Sequence, residues 1–116
     1  MLSFPTGITV PVGNILQGDH QPAGATAAVV TFPAKEGHRT IVQNIQWSYD
    51  TAPTGGLLTV VSGATTIFSL NASAAGPGGY NLTLIGGINE AVVVTLASGA
   101  GAVVGKLNAQ GCSISQ

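Results

Sequence analysis

Asp19, His20, Glu36 and His38 are the residues of this chain best suited by type to hold a metal ion or move protons, and all four fall in one stretch. Zinc and related ions are held by ligands at fixed short spacings, which set the geometry before folding is complete. Here the two histidines are separated by most of that stretch, and neither an HxxxH nor a CxxC pattern is present. The sequence therefore predicts two loop histidines and no metal ligand set.

Nucleophilic catalysis has little to draw on. The chain has no Gly-x-Ser-x-Gly elbow, and its single cysteine, Cys112, has no histidine near it in sequence. One thiol allows no intrachain disulfide, and a small apolar filling role is expected for it. Paired carboxylates for glycosidic chemistry would have to come from Asp19, Glu36, Asp50 and Glu90. Of these, Asp50 opens a turn and Glu90 starts a β-rich run, which suits their types without catalysis. The glycine-rich Gly76-Pro-Gly-Gly79 precedes a strand pattern and not a helix, so it does not form a phosphate cradle. Catalytic, cofactor-binding and metal residues are all expected to be none. Trp47, Tyr49 and Tyr80 are the remaining candidates, as a stacking surface for sugars. Trp47 alternates in phase with Ile41 and Ile45, however, which predicts that it faces the core.

The elements that would position these residues are strands. Val, Ile and Thr supply 32 of the 116 residues, an alphabet for pleated, half-buried backbone rather than helix. Glycines and prolines punctuate the β-rich runs. The clearest strand covers 40–49, with Ile41, Ile45, Trp47 and Tyr49 on one face and Gln43 as the exception. Val42, Asn44, Gln46 and Ser48 fall on the other face. Further strands are predicted over 57–61, 65–70, 80–85, 90–96, 102–109 and 25–32, with a weaker one over 6–12. Residues 71–79 read as an open loop, and 13–24 as a loop or arm. Eight short strands with glycine turns predict an all-β chain, an antiparallel β-sandwich of jelly-roll or immunoglobulin-like type. The expected organisation is an N-terminal arm over 1–24 containing a short strand, followed by a sandwich domain over 25–116.

Charge is the outlier in composition. Only 6% of the residues are charged and the net charge is −1, against roughly 25% charged residues in an average soluble domain. No basic cluster exists to meet nucleic acid or an anionic membrane, so neither is an expected partner. A surface so poor in charge suits a chain covered by copies of itself or by a larger assembly. The start, Met1-Leu-Ser-Phe-Pro, lacks the basic and apolar regions of a signal peptide, which predicts synthesis in a cytoplasm. The sequons at Asn71 and Asn81 carry weight only in a secreted chain.

The run from His38 to Tyr49, the following Ala52-Pro-Thr-Gly-Gly-Leu-Leu-Thr-Val, Ala75-Gly-Pro-Gly-Gly, and Val93 to Asn108 together resemble small β-rich virion proteins of tailed phages. The resemblance spans about residues 37–109, while the first 36 residues resemble nothing specific. Within that group the chain is most similar to the head decoration, or capsid cement, proteins. What the resemblance implies is a virion structural protein on the outer capsid surface, made in the host cytoplasm. Its expected partner is the major capsid protein, its expected state a homotrimer, and it brings no cofactor and no catalytic residues. A tail or fibre component meeting host glycans, or a carbohydrate-binding module, are the alternative expectations.

Overall fold

The computed structural model describes residues 14–72 and 74–115, together with the backbone of Leu2–Ser3 and Thr9–Val10. The strands are β1 (Leu2–Ser3), β2 (Thr9–Val10), β3 (Ile15–His20), β4 (Ala28–Phe32), β5 (His38–Tyr49), β6 (Leu57–Ser62), β7 (Thr65–Asn71), β8 (Gly76–Ile85), β9 (Val92–Leu96) and β10 (Gly105–Ser115). β1 and β2 pair with each other. The other eight strands form two four-stranded sheets, β3-β10-β5-β8 and β4-β9-β6-β7, in which every neighbouring pair is antiparallel. Counted over these eight, the first strand pairs with the last, the second with the seventh, the third with the sixth and the fourth with the fifth. That nesting is a long hairpin rolled into two layers, the jelly-roll form of the sandwich.

Alternation of side chains builds the interior. Ala28, Val30 and Phe32 of β4, Leu58 and Val60 of β6, and Val92, Val94 and Leu96 of β9 turn one apolar face inward. The first sheet answers with Val42, Ile45, Tyr49, Leu107 and Ala109, all buried, and with Trp47 packed against them. Tyr49 reaches across the layer, where its hydroxyl donates to the Ala97 carbonyl at 2.6 Å. At one side the edges of the layers meet, the Val29 N–H of β4 donating to His20 Nδ1 of β3 at 2.9 Å.

The face predicted for the longest strand holds only for half of it. Ile45, Trp47 and Tyr49 point inward as expected, but Ile41 does not. A β-bulge sets Gln43 and Asn44 of β5 opposite the single residue Gln110 of β10, so the alternation slips by one. Val42 therefore enters the core, while Ile41 lies on the outer face with Cys112, where Ile15 and Ile114 pack against the pair. Gly111 permits the slip. A β-carbon there would collide with the Ile41 carbonyl oxygen.

Three other expectations are revised. Residues 15–20, read as part of a loop or arm, are the edge strand β3, paired along its length with β10. Of the loop expected over 71–79, Asn71 ends β7 and Gly76-Pro-Gly-Gly79 begins β8. Glycine is needed in that strand because the Trp47 indole lies on Gly78, where a β-carbon would stand 2.6 Å from the ring. Pro77 is tolerated because β8 is an edge, where a missing N–H is harmless. The last strand begins at Gly105 instead of Ala102 and continues to Ser115, well past the predicted Ala109. Of the strand expected over 6–12, Thr9–Val10 forms β2 and the remainder lies outside the described residues.

Tyr49→Phe should lower stability by about 1–2 kcal/mol in urea unfolding, because it leaves the Ala97 carbonyl without its donor. Gly111→Ala should cost at least about 3 kcal/mol in the same assay, because backbone must move to admit the methyl group.

Candidate functional site

The residues singled out for metal or proton chemistry do not converge. His20 lies in the row of Leu107 and Trp47, and His38 in the row of Ser115, at opposite ends of the same sheet. Each is tied into backbone: His20 Nδ1 accepts from Val29, and His38 Nδ1 is 2.9 Å from the Glu36 carbonyl oxygen. Asp19 is on the outer face of β3, opposite Asn108. Among the described residues no three His, Cys, Asp or Glu side chains come together as metal ligands would.

The remaining acids hold loops. The Val104 N–H donates to Asp50 Oδ1 at 2.8 Å, and the Asp50 N–H returns a bond to the Val104 carbonyl at 3.0 Å. Ser62 Oγ donates to Glu90 Oε1 and accepts from the Gly87 N–H, both at 2.9 Å, linking the end of β6 to the turn before β9. Cys112 is fully buried, and that burial pushes its thiol pKa up. Burial likewise raises Tyr49, whose ring is enclosed and so takes no part in any exposed aromatic surface. Trp47 and Tyr80 do meet, with ring centroids 5.8 Å apart and planes tilted by 40°. Tyr80 is 51% exposed.

What stands out on the outer face of the β3-β10-β5-β8 sheet is a row of amides. Gln17, Gln110, Asn44 and Asn81 are in direct register, one from each strand. Asn44 Nδ2 donates to Asn81 Oδ1 at 2.6 Å. With Gln43, brought to the same face by the bulge, and Thr83, they line a groove of about 670 Å³. A second depression of about 520 Å³ shares Asn44 and Asn81 with the groove and is bordered by Gln46, Asn108, Trp47 and Tyr80. No Asp, Glu, Lys, Arg or His lines either one. Such a surface donates and accepts hydrogen bonds through amides and hydroxyls.

Of this surface, the sequence singled out Trp47 and Tyr80 as candidates and placed Asn44 and Gln46 on a polar face. It did not single out Gln17, Gln110, Asn81 or Thr83. Their only signal was an amide at an alternating position, and the row they form appears once the register is known.

No protein-family model matches the chain, and no curated protein does. Among solved structures it is similar to the CBM36-1 domain of a multidomain xylanase from the hindgut metagenome of Trinervitermes trinervoides. That match has 9% identity over 77% of this chain and 74% of that one, at a TM-score of 0.44. A carbohydrate-binding module CBM36 in complex with calcium and xylotriose matches at 18% identity over 79% and 76%, TM-score 0.43. The coat protein of Tobacco streak virus matches at 10% identity over 90% of each chain, TM-score 0.35. At these values none of them bears on what this chain binds. Among the described residues no helix is long and apolar enough to cross a membrane.

The raised pKa values of Cys112 and Tyr49 set a pH dependence. As pH climbs past the ordinary values of 9.0 and 10.0, the unfolded chain releases these protons before the folded one. Stability supplied by the buried neutral groups is therefore present at neutral pH and lost on the alkaline side. Thermal melts from pH 7 upward should show a falling melting temperature from about pH 9. Cys112→Ser or Tyr49→Phe should flatten that fall.

Proposed function

We propose that this protein is a non-catalytic virion component, a capsid decoration protein that seats on the outer surface of a phage head and stabilises the shell. The observation that carries the reading is the uncharged open side of the sandwich. No charged residue occurs between Asp50 and Glu90, a span that includes β6, β7 and β8. β7 and β8 are the edge strands of their sheets, on the side opposite the meeting of β3 and β4. Edge strands that face water are ordinarily guarded by charged side chains, by bulges or by a covering segment. β8 runs for ten residues with no charge, guarded only by Pro77 and by the extra residue it carries at 82–83, and its Ile85 is 56% exposed. Leu57 and Ile88, in the same uncharged span, are also exposed.

That combination suits a chain held in contact with other protein for its working life. A decoration protein meets this condition, since it binds an assembled lattice at many equivalent positions and stabilises by mass action whatever it binds. Linked copies add avidity, which the expected homotrimer would supply.

The test is the stoichiometry of this chain in purified particles, by quantitative mass spectrometry against the major shell protein. A copy number of the same order as the shell protein is expected. A small number would place the chain in a tail or fibre, and its absence from particles would end the virion reading. Sedimentation of the isolated protein should give about three times the chain mass of 11.5 kDa.

A further inference from the structure

The amide-lined groove shares β8 with the open edge but lies on the outer face of its sheet, and its chemistry specifies a different ligand. We infer that the outer face of the β3-β10-β5-β8 sheet is a binding site for a neutral glycan, laid across the strands along the row Gln17, Gln110, Asn44 and Asn81. The inference goes beyond the virion reading and does not rest on it.

Three features select the ligand class. Every side chain in the row is a primary amide, which offers both donors and an acceptor and so matches hydroxyl groups that do the same. The bond from Asn44 Nδ2 to Asn81 Oδ1 leaves Asn44 Oδ1 as an acceptor and Asn81 Nδ2 as a donor for hydroxyls. Neighbouring strands lie about 4.8 Å apart, so successive amides follow one another at roughly the length of a sugar ring. The row spans about 14 Å over its four strands.

The absence of charge from the lining supplies no partner for phosphate, sulfate or carboxylate, and Asp19 in the next row repels them.

Rival occupants fit less well. A peptide recognised by a sheet adds to a free strand edge, where backbone groups are open. Here the ligand path crosses the face of a sheet whose backbone is paired on both sides through β10 and β5. A protein partner wants aromatic, Met or Arg anchors at the centre of its contact. This groove is lined by amides together with Ile15, Leu16 and Leu82, and by no aromatic, Met or Arg residue.

The experiment is a glycan array probed with the full chain, followed by calorimetry on the best neutral oligosaccharide and on heparin and polysialic acid. Binding to a neutral oligosaccharide, with none to the two acidic glycans, is expected. Asn81→Ala should weaken that binding about tenfold, the effect of one lost hydrogen bond. Gln110→Ala, at an exposed position on β10, serves as the second row variant should Asn81→Ala disturb the strand edge. Both should melt as the parent does. No neutral glycan bound at millimolar concentration, a preference for the acidic glycans, or undiminished binding in both row variants would each overturn the assignment. Failure here leaves particle stoichiometry untouched, so the two readings stand or fall separately.

Discussion

Gly111 approaches the Ile41 carbonyl so closely that a side chain of any size would be excluded, and much of the molecule follows from that approach. It lets β5 carry one more residue than β10 at that level, which reverses the facing of everything before it on β5. Val42 becomes a core residue, and Ile41 joins Cys112 in a separate apolar cluster on the outer surface. Gln43 and Asn44 then stand on the same face, and the amides of the three neighbouring strands fall into register beside them. The bulge thus shapes the dry interior and the wet groove together. In an unbulged strand Gln43 would point into the interior; on the outer face its Oε1 is still shielded from solvent and accepts no hydrogen bond from the described residues.

The few charged side chains are spent mainly on connections. Asp50 and Glu90 hold loops, Lys35 Nζ donates to Asn14 Oδ1 at 2.9 Å, and an Arg39 guanidinium N–H donates to the Gly86 carbonyl at 3.1 Å. The outer sheet face is left to amides and hydroxyls, with Asp19 and Lys106 among them. β7 and β8 themselves carry no charged residue. Two surfaces of different character result, one rich in directional hydrogen bonds and one of bare strand edge with exposed aliphatic groups. Their chemistry favours different partners, which is why a protein contact and a sugar contact can belong to one small sandwich.

The strands whose apolar residues alternate were legible from sequence. β4, β6 and β9, and β5 from Ile45 onward, show the period of two that burial of one face imposes. β3 was not legible because Ile-Leu-Gln-Gly-Asp-His lacks that alternation. It is an edge strand, and its place depends on β10 and not on its own pattern. The start of β8 reads as a loop because its glycines answer to the Trp47 ring, a neighbour distant in sequence. The slip at Gln43 left one trace, a polar residue on an apolar face. The groove itself was out of reach, since four amides spread from 17 to 110 become neighbours only through the pairing order.

That pairing order also governs how the chain can acquire its shape. In the β3-β10-β5-β8 sheet no two adjacent strands are consecutive in the chain, and in the other sheet β6–β7 is the single local hairpin. Loop closure must therefore precede most of the favourable contacts, a topology that folds slowly. During synthesis on the ribosome β5 would emerge long before β10, the central strand that it needs on one side. Until β10 clears the exit tunnel, that sheet can be no more than the β5–β8 pair. The nascent chain would spend that interval with uncharged strands open to pairing with one another, or with a chaperone.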